Sequence, residues 1–193
     1  MEIVDVYEGT TYQISIHHNL RLWVAKGFGF EMEDRIERYR KDYIKEMRKK
    51  VGHAPLMVTG CGVIVENDKG EILLQKRRDN GCWAILGGSM EIGEKFVETA
   101  RREVYEEAGI EIGELTLFGI YSGRIITYPN GDICFGTGII FKTTVYRGEI
   151  QNNTEEAFEH QFFDKENLPD NINEVDKQCI FDWTKGLQQV IVD

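Results

Sequence analysis

Proline is rare in this chain, with three in 193 residues, so stiff proline-rich spacers have little place in it. With an apolar content of 41%, that scarcity fits one compact domain carrying a small extension rather than two full domains. Cysteine is sparse too. Cys61, Cys82, Cys134 and Cys179 stand far apart, with neither the C-x-x-C pairing of a zinc or redox site nor the density of a disulfide scaffold. Each reads as a small buried hydrophobe in a reducing compartment. No apolar run reaches bilayer-spanning length, and Glu2 and Asp5 precede any apolar stretch. Neither a membrane segment nor a cleavable leader is therefore expected, and the expected location is cytoplasmic. Positive charge is in deficit: 33 acidic against 23 basic residues give a net charge of -10. That balance argues against broad binding to polymeric nucleic acid. It leaves open a small phosphorylated ligand held by divalent ions and a few local arginines or lysines.

Residues 1–50 read as an N-terminal extension and residues 51–193 as the main domain. The extension holds short β-favouring pieces at Tyr12 to Ile16 and Leu20 to Val24, then a Gly27/Gly29 break. From Glu31 to Lys50, Met32, Ile36, Tyr39, Tyr43 and Met47 recur at helical spacing, which predicts an amphipathic helix with a basic, solvated outer face. In the main domain, Cys61 to Val65 and Glu71 to Lys76 read as strands joined by a turn at Asn67 to Gly70. Thr116 to Tyr121, Arg124 to Tyr128, Ile133 to Tyr146 and Gln161 to Phe163 are further β segments, with strong turn chemistry at Tyr128 to Asp132. A last helix is expected from near Glu174 to Val190, with Ile180, Trp183, Leu187 and Val190 as its apolar stripe.

Between these elements lies the stretch that carries chemistry. Lys95 to Ala108 contains no Gly or Pro, and Gly109 is placed to end a helix there, with Phe96, Val97, Ala100 and Val104 toward the core. On that helix Glu103, Glu106 and Glu107 fall at i, i+3 and i+4, so all three can face one region. Like charges so gathered repel, and the more so where solvent is excluded. A divalent ion removes the conflict, and hard carboxylate oxygens suit Mg²⁺ or Mn²⁺. Gly87 and Gly88 just upstream allow a tight turn and a close backbone approach to a metal or ligand.

The whole string, Gly88, Glu94, Arg102, Glu103, Val104, Glu106, Glu107, Gly109 and Ile110, matches G-x5-E-x7-R-E-U-x-E-E-x-G-U, where U is bulky and apolar. It resembles the metal-binding box of the Nudix hydrolase (MutT-like) family without a missing position. The wider resemblance covers residues 57 to 170 and ends on Phe162-Phe163-Asp164 and Leu168-Pro169. It implies an α/β/α sandwich around mixed sheet, with an N-terminal extension added. It also implies metal-dependent hydrolysis of a phosphoanhydride in a nucleoside diphosphate-linked substrate. Glu103, Glu106 and Glu107 would be the principal ligands, Glu94 a supporting one, and the Gly88 carbonyl a further donor. Arg102 would orient a glutamate through charge-assisted hydrogen bonds.

The proton acceptor stays open between Glu106, Glu107 and an acid from a later loop, where Glu155, Glu156 and Glu159 lie. Of these, Glu156 or Glu159 is the candidate to close the metal site. Arg77 and Arg78 are candidate phosphate contacts, Arg77 the preferred one. Trp83 either stacks on a base or anchors the loop in the core, and Tyr121, Tyr128 and Phe135 are further aromatic candidates. Many relatives carry W-x-L-P-G-G where this chain has Leu86 before its glycines, which predicts a less rigid loop. His17 and His18 show no partner at informative spacing. The partner expected is a nucleotide-like small molecule, with a nucleoside triphosphate favoured over ADP-ribose or a nucleotide sugar. A weakly catalytic nucleotide-sensing or protein-binding domain is the rival class, and a homodimer is the self-association weighed.

Overall fold

The computed structural model describes residues 43–128, 130–187 and 189–193 and, as backbone, 3–7 and 10–14. Strand β1 (Ile3–Tyr7) pairs antiparallel with β2 (Thr10–Ile14). His17, His18, Leu20 to Val24 and the first part of the expected helix, with Met32, Ile36 and Tyr39, lie outside the described residues. Its second part is helix α1 (Tyr43–Val51). The basic face of α1 is more than a solvated surface. Arg48 donates to the carbonyls of Gly52 (3.0 Å), Ala54 (2.6 Å) and Ile133 (2.8 Å), and its Nε lies 3.4 Å from Asp132. The guanidinium fork thus docks the helix on the main domain.

The main domain runs β3 (Leu56–Val65), β4 (Ile72–Arg77), β5 (Trp83–Ala84), β6 (Leu86–Ser89), α2 (Phe96–Ala108), β7 (Glu111–Ile112), β8 (Thr116–Thr127), β9 (Ile133–Thr143), β10 (Tyr146–Arg147), β11 (Ala157–Phe163), α3 (Lys177–Thr184) and β12 (Ile191–Val192). Its mixed five-stranded sheet has the order β12-β8-β9-β3-β6, and β11-β4-β5 form a three-stranded sheet. In the larger sheet β3 runs parallel to β9 and antiparallel to β6. Helix α2 closes one core with Cys61, Val63, Leu73, Leu86, Ala100 and Val104. Helix α3 closes the other, with Ile64, Leu74, Tyr121, Ile140, Ile180 and Trp183. This is the expected α/β/α sandwich.

Four expectations need correcting. The turn at Asn67 to Gly70 forms, with Asn67 Oδ1 accepting from the amides of Lys69 and Glu71 at 3.0 Å, but the strands it joins then part into different sheets. The two segments from Thr116 to Tyr128 are one strand, β8, interrupted by a register shift between Tyr121 and Arg124. The last helix is shorter than its apolar periodicity suggests. Lys185 caps it and Gly186 follows at φ 64°, so Leu187 and Val190 stay exposed while Ile180 and Trp183 are buried. Trp183 secures α3 by donating to Glu66 Oε1 at 2.7 Å. Finally, Phe96, expected in the core, is exposed at the first position of α2. No described helix is long and apolar enough to cross a membrane.

Candidate functional site

Helix α2 forms where an uninterrupted run of helix-favouring residues meets two good ends. Glu98 accepts from the Lys95 amide at its start (2.9 Å), and Gly109, at φ 71°, donates to Tyr105 O at its end (2.9 Å). Its buried stripe is Ala100, Glu103, Val104, Glu107 and Ala108, so two carboxylates are carried inward within an apolar row. Glu107 is 1% exposed and Glu103 8%. Glu106 lies off the stripe, at the exposed edge.

Glu107 accepts from the Gly87 amide at 2.7 Å and from Gln75 Nε2 at 2.5 Å, and no cation among the described residues forms an ion pair with it. Burial pushes its carboxyl up to about 8; the two hydrogen bonds oppose the shift, while Glu103 and Glu156 add to it. Burial also raises Glu103, against the pull of Arg102. Arg102 ties the outer acids together. It donates to Glu94 Oε1 (2.6 Å), Glu103 Oε1 (2.7 Å), Glu106 Oε2 (3.0 Å) and the Ser89 carbonyl (3.0 Å). Its guanidinium holds the Glu94 carboxyl down to about 2, helped by the Glu91 amide and the Thr99 hydroxyl.

The glycine pair belongs to strand β6, not to a loop. Leu86, at the position where a proline was expected from the resemblance, is fully buried opposite Val63, so strand pairing supplies the rigidity that proline would give. Gly87 sits at φ 149°, and a Cβ there would fall 2.3 Å from Cys61 O. Gly87→Ala should therefore cost roughly 1–3 kcal/mol through backbone strain, read as a lower denaturation midpoint. A Cβ on Gly88 would fall 2.6 Å from the Glu103 carboxylate. The backbone and the acid thus share a space that any side chain would fill.

Beside these groups opens a cleft of about 1300 Å³, with Arg77, Gly87, Gly88, Tyr121, Arg124, Tyr128 and Asp176 among its lining residues. Arg77 faces it while paired with Asp79 through Nε (2.9 Å) and Nη2 (2.7 Å). Arg78 turns elsewhere, donating to Thr154 O at 2.8 Å and stacking on Phe158. Trp83 is 7% exposed and meets Phe163 edge-on, so it packs in the core. Glu156 lies close enough to repel Glu103 and Glu107. Glu159 does not join them. Strand alternation sends it outward while its neighbour His160 is buried. Among the described residues, no three of His, Cys, Asp or Glu are arranged as a ready-made metal site. The Arg102 guanidinium instead occupies the middle of the acidic group.

The sequence reading missed three residues of this neighbourhood. Gln75 reaches Glu107 from the middle of β4, Thr99 supports Glu94, and Asp176 lines the cleft with its carboxyl raised by burial to about 6. Thr99 alone lay close to its partner in sequence, five residues beyond Glu94.

Comparison with known proteins adds an independent line. Residues 57–183 match the model of the NUDIX domain. The chain is 36% identical over 138 residues to the ADP-ribose pyrophosphatase of Methanocaldococcus jannaschii, covering 69% of this chain and 78% of that one. It is 41% identical over 64 residues to a MutT-like protein of Streptomyces ambofaciens, a match spanning 33% of this chain and 41% of the relative. Among solved structures, the MutT NUDIX hydrolase of Burkholderia pseudomallei superposes with a TM-score of 0.57 at 25% identity, over 64% of this chain and 95% of that one.

Proposed function

Since this chain belongs to the NUDIX domain family, we propose that it hydrolyses a phosphoanhydride in a nucleotide-linked substrate, with Glu103 and Glu107 at the working centre. The observation that carries this reading is the pair of buried carboxylates on α2, set against the bare backbone of Gly87 and Gly88 at the edge of a large cleft. Burying two acids without full cationic compensation is costly, and their raised pKa values express that cost. A divalent cation resolves it, and the donor set is all hard oxygen, which suits Mg²⁺ or Mn²⁺. Glu103 and Glu107 would hold the ion, with Glu106, Glu156 and the Gly88 carbonyl as further donors. Bound there, the ion would supply positive charge against the phosphate oxygens and acidify water.

The chain's own groups do the rest. Arg102 keeps Glu94 ionised and orients both Glu94 and Glu103. Arg77, held by its Asp79 pair, presents a fixed cation to a phosphate at the cleft wall. Glu107, or Glu156 from the loop before β11, takes the proton from the attacking water.

For the substrate, a nucleoside diphosphate linked to a sugar, of the ADP-ribose kind, fits better than the nucleoside triphosphate favoured by the sequence. The cleft is large, and α1 adds a wall: Ile44 and Arg48 line it, and a further hollow of about 460 Å³ opens between α1 and Ser89 to Glu91. One relative matched over most of both chains is an ADP-ribose pyrophosphatase. Phosphorus NMR of products from ADP-ribose, the nucleoside triphosphates and NAD, each with Mg²⁺ and with Mn²⁺, tests both levels. ADP-ribose should give AMP and ribose 5-phosphate at the highest kcat/KM. A preference for triphosphates, with pyrophosphate as product, would overturn the substrate assignment, and intact anhydrides across the panel would overturn the hydrolase.

A further inference from the structure

Gln75 and His160 face each other across one rung of the ladder between β4 and β11. Directly opposed residues on an antiparallel pair share a face, with Cβ atoms about 5 Å apart. Both are buried: Gln75 is 1% exposed and His160 8%. Gln75 Nε2 donates to Glu107 Oε1 at 2.5 Å and reaches the Ile85 carbonyl at 3.4 Å, so its donors point at the working acid. Its carbonyl oxygen has no hydrogen-bond partner among the described residues, and neither ring nitrogen of His160 makes a well-formed hydrogen bond there, although the Gln151 backbone lies near enough to act on the ring.

Buried polar atoms without partners are uncommon, and each costs stability. A ring N–H that donates to the Gln75 carbonyl, directly or through one enclosed water, satisfies two of the three atoms at once. That bond has a consequence one residue further on. A glutamine amide turns end for end at little cost unless something distinguishes its ends. Turned, Gln75 would set an acceptor against the Glu107 carboxylate. A donor on the carbonyl side keeps the NH₂ on Glu107.

We propose that His160 is a positioning residue for the hydrolytic site, fixing the Gln75 amide so that it holds Glu107 in its working orientation. The inference rests on Glu107 being a working group as argued above, and it adds a side chain that touches neither substrate nor acid. It predicts that His160 and Gln75 act as a unit.

The test joins a spectroscopic readout to a kinetic one. In ¹⁵N-histidine NMR of the full chain, a slowly exchanging ring N–H should vanish in His160→Leu and shift or lose its protection in Gln75→Leu. In steady-state assays, His160→Leu should lower kcat about tenfold or more with KM little changed, the range seen for groups that orient a metal ligand. Thermal stability should hold or rise, because unpartnered polar atoms have been removed. His160→Gln, which keeps an amide donor, should recover most of kcat. The double variant should be no worse than the poorer single one. A ring N–H signal indifferent to Gln75→Leu would overturn the proposal, as would wild-type kcat in a folded His160→Leu. The NMR result decides it even if the wild type cleaves no phosphoanhydride, so its failure is separable from failure of the hydrolase reading.

Discussion

Glu107→Gln should lower turnover by two to three orders of magnitude, the range found when one preorganised electrostatic group leaves an active site, while flattening the pH dependence of the metal-free protein's stability. Both effects come from the same burial. The Glu107 carboxyl is raised to about 8 in the folded chain, well above its ordinary value of 4.5. Between those two values the native state binds more protons than the unfolded state, so stability falls as pH rises across that window. The loss is complete only above the folded value, and by linkage it amounts to a few kcal/mol at most. Glutamine keeps the shape and carries no charge, so the slope from this residue disappears. Urea unfolding of both proteins from pH 5 to 8.5, without metal, should show wild-type stability declining and the variant nearly level. Glu94 acts with opposite sign. Its carboxyl is held down to about 2, so its contribution is present above pH 4.5 and is lost as pH falls from there toward about 2. An equal decline in the Glu107→Gln variant would sink the assignment, as would unimpaired turnover.

Arg102→Leu should be the most damaging single change to the fold at this site. The guanidinium serves Glu94, Glu103, Glu106 and the Ser89 carbonyl at once, and it is 27% exposed. Removing one partner from a buried ion pair typically costs about 3–5 kcal/mol, because the carboxylates left behind lose their compensation. Partial exposure here lowers that to about 2–4 kcal/mol. Arg102→Lys should recover little, since an ammonium cannot reproduce the planar fork that reaches both Glu94 oxygens. Denaturant midpoints of the two variants test this. Near wild-type stability in Arg102→Lys would show that charge alone suffices. Added Mg²⁺ or Mn²⁺ should restore part of the stability of Arg102→Leu, because the ion can take over neutralising Glu103.

The sequence showed the box clearly because its spacing is local. Helical periodicity alone places Glu103 and Glu107 on one line, and Gly109 closes the helix that carries them. What it could not show depends on pairing between distant segments. Gln75 and His160 are 85 residues apart in the chain and meet only through β4 and β11. Leu86 looked like a weakened loop because the pairing of β3 with β6 was not visible. Glu156 and Glu159 were indistinguishable as acids near a strand start; only the burial of His160 shows which way Glu159 points. Leu187 and Val190 continued the apolar rhythm of α3, yet the left-handed Gly186 stops the helix before them. Arg48 carried no sign that it would reach the Ile133 carbonyl at the start of β9.

The parallel pairing of β3 with β9 also constrains the order in which the molecule is built. From Leu56 to Val65, β3 aligns with Cys134 to Thr143, a partner that leaves the ribosome much later. Until it arrives, β3 is paired on one side by β6 and has an open edge on the other. The docking of α1 waits on the same event, since Arg48 binds at Ile133 and Asp132. A nascent chain therefore carries an unsatisfied strand edge until Thr143 has been made, the condition under which neighbouring chains pair wrongly. Arrival of β9 seals that edge and seats α1 together, so the wall that Ile44 and Arg48 add to the cleft waits on a distant segment of the chain.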